Sequence, residues 1–188
     1  MPPRGGGFTI APMAEPLSPP PVKLICGIIA AGAELLDAAG EALVEAIGPA
    51  DLVSQTWPFD LTDYYHAQMG RPLWRRFVSF ARLADPGELA ALKRRTNQIE
   101  ADFARRCAGR PPRPVNLDVG YIEPAKLVLA SMKNFSHRIY LADGVYAEIT
   151  LQYRKGRWEK LPWTFPDYAS GRYDEFLTAA RERLRCGQ

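Results

Sequence analysis

The feature that most constrains this chain is an almost continuous apolar run at residues 22–30, Val-Lys-Leu-Ile-Cys-Gly-Ile-Ile-Ala. Apolar residues occupy both sets of alternating positions, which is typical of a strand buried on both faces of a sheet. Gly27, in the middle of the run, indicates that a neighbour or a ligand approaches the backbone closely. The sequence therefore predicts a central strand here.

The elements around this strand predict an α+β fold. Residues 33–47 have helical periodicity, and Asp85-Pro86-Gly87-Glu88 carries the N-cap acceptor, first-turn proline and capping-box glutamate of a second helix. With strands expected at 51–59, 75–83 and 115–119, the order is that of the ferredoxin-like split β-α-β-β-α-β core. We expect a buried helix at 123–133, a β-meander and a C-terminal helix to follow this core.

The chain divides into a tail and one domain. Residues 1–20 are rich in proline and glycine and have no apolar periodicity, which is typical of a disordered tail. The chain has 188 residues, of which 47% are hydrophobic, enough to bury one sizeable core. We therefore expect residues 21–188 to form a single α+β domain.

Charge, hydropathy and cysteine content limit which classes of partner and which cellular location are expected. A net charge of +3 is too small to indicate a nucleic-acid partner. No run of 18 apolar residues is present, so no membrane partner is expected. Cys26, Cys107 and Cys186 are far apart and odd in number, which fits neither a disulfide framework nor a zinc motif. They favour a cytoplasmic location.

A hairpin near residue 143 carries the candidate catalytic residues. Asp143-Gly144 between two alternating segments predicts a two-residue turn, and in that register His137 and Glu148 are diagonal neighbours within side-chain reach. A carboxylate beside a histidine can orient it as a general acid or base. Alternatively, the two side chains only satisfy each other at the margin of the sheet.

The candidate ligand-binding residues are Asn116, Asp118, Lys126 and Arg138. Asn116 and Asp118 point to the same face of their strand. Lys126 falls in the first turn of the helix expected at 123–133, where a cation is disfavoured unless an anion binds the free N–H groups. In the alternative, Lys126 extends off an apolar helix into solvent.

The segment 58–66, Pro-Phe-Asp-Leu-Thr-Asp-Tyr-Tyr-His, could line the mouth of a pocket, or Asp60 or Asp63 could cap a short helix. The phosphate-binding pattern G-x-x-x-x-G-K-[ST] and the G-x-S-x-G nucleophile elbow are absent. The sequence therefore identifies no reaction and no cofactor. A divalent ion could be held by Asp118, Glu148 and His137 only if tertiary structure brings them together.

Several strings of residues resemble a known family. They include Pro-Phe-Asp-Leu-Thr-Asp-Tyr-Tyr at 58–65, Val-Asn-Leu-Asp-Val-Gly-Tyr at 115–121, His-Arg-Ile-Tyr-Leu-Ala-Asp-Gly-Val-Tyr-Ala-Glu-Ile-Thr-Leu at 137–151 and Pro-Trp-Thr-Phe-Pro-Asp-Tyr at 162–168. Over residues 21–185 the chain resembles the bacterial proteins of domain-of-unknown-function family 4416. The resemblance implies a family and no activity.

Two functions are compatible with these patterns. In the first, a cytoplasmic protein binds or processes a small anionic ligand, such as a phosphoester, nucleotide or carboxylate, at a polar pocket near residues 115–150. In the second, the chain is a non-catalytic regulatory or assembly module that binds a protein partner. The first requires the polar residues of this segment to line one concave pocket, and the second does not.

Overall fold

A computed structural model describes residues 15–108 and 111–186. Residues 1–14 of the expected tail lie outside the described residues, and residues 15–20 are exposed and form neither helix nor strand. The strands are β1 (Val22–Ala30), β2 (Ala50–Val53), β3 (Trp57–Pro58), β4 (Trp74–Ala84), β5 (Val115–Glu123), β6 (Lys126–Ser131), β7 (Ile139–Ala142), β8 (Val145–Arg154) and β9 (Arg157–Lys160). The helices are α1 (Ala33–Ile47), α2 (His66–Met69), α3 (Leu89–Arg106), α4 (Pro166–Ala169) and α5 (Asp174–Cys186).

The fold is α+β and is built on one large antiparallel sheet. Its strand order is β2-β4-β1-β5-β6-β8-β7, with β3 added beside β4 and β9 beside β8. The sheet is larger than that of a simple split β-α-β unit, because β6, β8 and β7 continue it past β5. Helices cover both faces: α1 and α3 pack on one, and α5 packs on the other.

The apolar run at 22–30 explains why the sheet has two cores. Every residue of β1 is buried, as expected of a central strand. Leu24, Cys26 and Ile28 join the core formed with α1 and α3. Ile25 points to the opposite face and joins a core that includes Phe176 and Leu177 of α5. The prediction of a strand buried on both faces is confirmed.

The strand expected at 51–59 is interrupted, so that β2 and β3 pair separately with β4. Ser54 causes the break. Its N–H donates to the carbonyl oxygen of Phe77 at 3.0 Å, while its side-chain hydroxyl accepts from the N–H of Phe77 at 2.9 Å. A side-chain oxygen thus replaces the backbone carbonyl that a regular ladder would use.

The prediction of a helix at 123–133 is wrong, because these residues form a turn and strand β6. Glu123 pairs with Lys126 across the two-residue turn Pro124-Ala125. Proline suits both the first position of a helix and the second position of a turn, since both need φ near −65°. The run Leu-Val-Leu-Ala at 127–130 is buried on both faces of the sheet, and such a run cannot be distinguished from a buried helix by periodicity.

Gly120 is required where β5 and β6 begin to pair. A Cβ atom there would lie 2.2 Å from the carbonyl oxygen of Val128 and 2.6 Å from Cδ2 of Leu129. The first contact is with backbone, so relief would need the two strands to separate.

Gly120→Ala should therefore lower the free energy of unfolding by about 1–3 kcal/mol, as overpacking in a core does. Gly40→Ala in α1 is the matched control, because a Cβ there meets no other residue within 4 Å, and it should raise stability by about 0.5–1 kcal/mol. Urea unfolding of both variants measures the difference. Equal stability of the two variants would contradict this account of the strand junction.

Candidate functional site

A cavity of about 280 Å³ opens where the sheet divides. Pairing between β5 and β6 runs from Gly120 to Glu123 on β5. Beyond that point residues 115–119 stay with β1, while Ala130 and Ser131 of β6 stay with β8. Side chains from both branches line the space between them, including Asn116 and Asp118 on β5 and Glu148 on β8.

Side chains of helix α3 supply hydrogen bonds to backbone groups of β5 where this strand no longer pairs with β6. The N–H of Leu117 donates to Oε1 of Glu100 at 2.8 Å, and Nζ of Lys93 donates to the carbonyl oxygen of Leu117 at 2.8 Å. Glu100 also accepts from Nη2 of Arg113 at 2.7 Å. Unpaired backbone groups are costly when buried, so these side chains allow the sheet to part here without losing its hydrogen bonds.

Arg75 forms the buried end of the cavity. Its guanidinium contacts the carboxylates of Asp118, at 3.0 Å, and Asp167, at 3.3 Å. The guanidinium carbon lies 5.1 Å from the ring centroid of Phe59 and 5.5 Å from that of Tyr168. Only 3% of the Arg75 side chain is exposed. A buried cation is tolerated when it is paired and hydrogen-bonded in this way.

Gly27 provides the room for this guanidinium. A Cβ at Gly27 would lie 2.4 Å from Nη1 of Arg75 and 2.9 Å from the ring of Phe77. The close approach predicted at this glycine is thus made by the Arg75 side chain.

Three buried polar atoms in the lining have no hydrogen-bond partner among the described residues. They are Nε of Arg75, Nδ2 of Asn116 and the hydroxyl of Tyr168. Burial raises the pKa of Tyr168, so its hydroxyl keeps the proton and can donate. Each unpartnered buried group costs about 1–3 kcal/mol. All three are hydrogen-bond donors, and the residues that carry them all contribute to the lining of the cavity.

Asp118 remains ionised beside these donors. Burial alone would raise the pKa of Asp118, but the Arg75 guanidinium and the Lys93 ammonium outweigh it and hold the pKa below its usual value. The Asn116 amide also favours the carboxylate, although its Nδ2 makes no hydrogen bond of normal geometry. Asp118 can therefore act only as an acceptor near neutral pH.

The predicted catalytic pair is in contact, but its orientation differs from the prediction. Nε2 of His137 lies 3.1 Å from Oε2 of Glu148, and the imidazole stacks on Trp163 with ring centroids 5.1 Å apart. Glu148 lines the cavity and His137 does not. Glu148 also accepts from Nε of Arg138 at 2.7 Å. In this arrangement His137 orients Glu148, which is the side chain nearer to the cavity.

The contact between His137 and Glu148 is made from a turn rather than from the expected ladder. Asp143 and Gly144 have φ values of 53° and 77°, as their two-residue turn requires. A register shift between Tyr140 and Ala142 pairs Tyr140 with Tyr146 and Ile139 with Ala147. The ladder is therefore shifted by one residue from the register that the two-residue turn alone predicts.

The exposed side of the cavity is cationic and aromatic. Lys133 donates a hydrogen bond to the hydroxyl of Tyr64 and lies 4.8 Å from the centroid of its ring. This hydrogen bond lowers the pKa of Tyr64. Arg113 lies 5.5 Å from the ring centroid of Tyr65. In total five cationic side chains and three carboxylates line the cavity: Arg75, Lys93, Arg113, Lys133 and Arg138, with Asp118, Glu148 and Asp167.

The segment 58–66 contributes to this lining. Phe59, Thr62, Tyr64 and Tyr65 all face the cavity. The short helix α2 begins at His66, and neither Asp60 nor Asp63 caps it through its side chain. Asp60 is paired instead with Arg172, at 2.9 Å.

The structure brings four of the six predicted site residues to one cavity. Asn116, Asp118, Arg138 and Glu148 line it, and His137 lies behind Glu148. Lys126 lies outside the lining and is paired with Glu123 at 2.6 Å. Because residue 126 begins a strand, the reason for expecting an anion there no longer holds.

The polar residues do not form a metal site. Among residues 15–108 and 111–186, no group of three or more His, Cys, Asp or Glu side chains is arranged to hold a metal ion. Asp118, Glu148 and His137 therefore do not form the ion site that the sequence left open. Within the same ranges, no helix is long and apolar enough to cross a membrane.

Sequence reasoning missed the residues that come from distant segments. Arg75 follows Trp74 in an Arg-Arg pair and is indistinguishable from a solvated basic run. The signal that could have found it is the alternation of β4, which places Arg75 on the buried face with Phe77 and Ser79. For Lys93 and Arg113 the sequence carries no comparable signal.

The model of one protein family matches most of the chain. It is described as Domain of unknown function (DUF4416), and it matches residues 20–184. The chain belongs to this family. A search of curated proteins gave no match, and neither did a search of solved structures. The match includes the whole lining of the cavity, from Phe59 to Tyr168.

The lowered pKa of Asp118 predicts how stability depends on pH. A carboxylate whose pKa is lower in the folded chain stabilises the fold above its unfolded value, near 3.8, and this contribution is lost as the pH falls through the folded value. Wild type should therefore lose more free energy of unfolding between pH 5 and pH 3 than Asp118→Asn does. Urea titrations at several pH values test this, with Glu41→Gln in α1 as the control. Parallel profiles for wild type and Asp118→Asn would contradict the assignment.

Proposed function

We propose that the cavity at the sheet division binds a small anionic ligand rich in acceptor oxygens. The observation that carries this proposal is the convergence of three unpartnered buried groups, on Arg75, Asn116 and Tyr168, in one cavity. Buried polar groups in native proteins nearly always have partners. A ligand that accepts hydrogen bonds from these groups would supply the partners that the chain lacks.

The charge of the lining supports an anion over a neutral ligand. Cationic side chains outnumber carboxylates in the lining, and among the described residues the ammonium of Lys133 is bonded only to the hydroxyl of Tyr64. Long-range attraction by such a patch also raises the rate at which an anion arrives.

The hydrogen bonds of Glu148 favour a role in ligand binding over a role as a general base. Its carboxylate already accepts from His137, Arg138 and Thr150. A carboxylate that already accepts from an arginine and a histidine on the same oxygen holds these two side chains in place, here above all the Arg138 guanidinium. We therefore assign Glu148 and His137 to the positioning of Arg138 at the ligand.

We also propose a type of scaffold and a cellular location for this protein. The order β2-β4-β1-β5, with α1 and α3 on one face, supports a ferredoxin-like unit as the scaffold, extended by β6, β8 and β7. The free thiols of Cys26 and Cys107 favour the reducing cytoplasm of a bacterium as the location.

A second candidate function has one specific observation in its favour. Strand β7 is an edge strand whose four residues are all exposed, including Ile139, Tyr140 and Leu141. An exposed apolar edge can accept an added strand from a partner protein. This is the assembly module that the sequence allows.

Ligand-induced thermal stabilisation distinguishes the two functions. Inorganic phosphate, a small dicarboxylate and a mononucleotide should be added separately to wild type, and at least one should raise the melting temperature. At a hundredfold excess over the dissociation constant, the gain corresponds to about 2.7 kcal/mol. Lys133→Met should reduce the gain, because its ammonium lies in the lining.

Lys126→Met is the matched control, since this lysine stands at the other end of β6, outside the lining. It should keep the full ligand-induced gain. If no anion stabilises wild type, or if both lysine variants lose the gain equally, the anion site is wrong and the protein-binding module becomes the better reading.

A further inference from the structure

We infer that the anionic ligand is a nucleotide, with its base held among the aromatic side chains and its phosphate at the cationic side of the cavity. This inference rests on the proposed function and adds the chemical class of the ligand. It depends on three observations about the lining.

The first observation is that the lining is unusually aromatic for an anion site. Phe59, Tyr64, Tyr65, Phe165 and Tyr168 all contribute to it. A phosphate or carboxylate ion alone gains nothing from such rings, whose faces carry negative partial charge. A planar heterocycle stacks on them favourably, and this stacking is available to every base. Arg75, Arg113 and Lys133 already lie over four of these rings. Phe165, which is 40% exposed and has no such cation among the described residues, is therefore the ring on which a flat ring of the anion can stack.

The second observation is a donor beside an acceptor on one strand. Asn116 and Asp118 lie two residues apart on the same face of β5, opposite Ile29 and Gly27 of β1. The amide of Asn116 offers an unpartnered donor, and the ionised Asp118 offers an acceptor. The edges of nucleobases present acceptors next to N–H donors. This pair can therefore hydrogen-bond a base edge.

The third observation is that the cavity has two regions, one in which charges are paired and one in which a cation lacks a carboxylate partner. In the first region the charge of Arg75 is balanced by its ion pairs with Asp118 and Asp167. Lys133 and the hydroxyl of Ser131 lie at the branch formed by β6, where the Glu148 carboxylate is already bound to Arg138. A phosphate fits the second region and a base fits the first. The volume, about 280 Å³, is at the small end for ligand pockets and matches a mononucleotide better than a dinucleotide.

Isothermal titration calorimetry with a set of matched compounds tests this inference on the full chain. The set contains the four 5′-ribonucleoside monophosphates, ribose 5-phosphate, inorganic phosphate and 4-hydroxybenzoate. At least one nucleotide should bind about tenfold or more tightly than ribose 5-phosphate, because base stacking and base hydrogen bonds are lost in the sugar phosphate.

Two variants localise the two halves of the ligand. Asn116→Ala should weaken nucleotide binding about tenfold and leave the binding of ribose 5-phosphate unchanged. Because Asn116 is buried, the substitution should also lower the unliganded melting temperature, and the comparison with ribose 5-phosphate separates that loss from the loss of a base contact. Lys133→Met should weaken both compounds. Lys126→Met should weaken neither.

The outcomes separate this inference from the proposed function. If ribose 5-phosphate or inorganic phosphate binds as tightly as every nucleotide, the ligand is not a nucleotide, while the anion site stands. If 4-hydroxybenzoate binds more tightly than any nucleotide, the ligand is an aromatic carboxylate and the nucleotide inference is overturned. If no compound binds, both proposals fail.

Discussion

The buried guanidinium of Arg75 is the interaction on which the rest of the structure depends. It is enclosed by Asp118 from β5 and Asp167 from α4, which belong to segments far apart in the chain. Removing one partner from a buried ion pair costs about 3–5 kcal/mol, because the remaining charge is stranded. The same contact therefore fixes where α4 lies against the sheet and forms the inner wall of the cavity. Gly27 is part of this arrangement, since any side chain there would occupy the space of the guanidinium.

The division of the sheet is the second constraint, and it follows from local chemistry. Gly120 lets β5 and β6 approach closely, and past this point α3 takes over the hydrogen bonds of Leu117 through Glu100 and Lys93. Polar groups can then face a space inside the sheet while the backbone around them stays satisfied. A cavity formed in this way is held by strands and one long helix, which keeps its donors in fixed positions and lowers the entropy lost when a ligand binds.

Much of the fold could be predicted from the sequence, because its signals are local. The apolar run at 22–30, the capping box at Asp85 and the Asp143-Gly144 turn each have one structural interpretation, and all three are present as expected. The signal at Pro124 has two structural interpretations, since the φ of proline suits the start of a helix as well as the turn of a hairpin. The site was predictable only where its residues lie close in sequence. Asn116, Asp118, Arg138 and Glu148 were found, whereas Arg75 and Asp167 are joined to them by tertiary packing alone.

The central claim is that the unpartnered donors of the cavity are ligand contacts, and nitrogen-15 NMR of their side chains tests it most directly. The Nε–H signal of Arg75 and the Nδ2 signals of Asn116 can be assigned through Arg75→Lys and Asn116→Ala. On addition of 5′-mononucleotides, one at a time, both should shift, while the Nε–H signal of Arg82, which pairs with Glu88 on the surface, should not. Saturation with ligand that shifts other signals and leaves those of Arg75 and Asn116 unmoved would contradict the account.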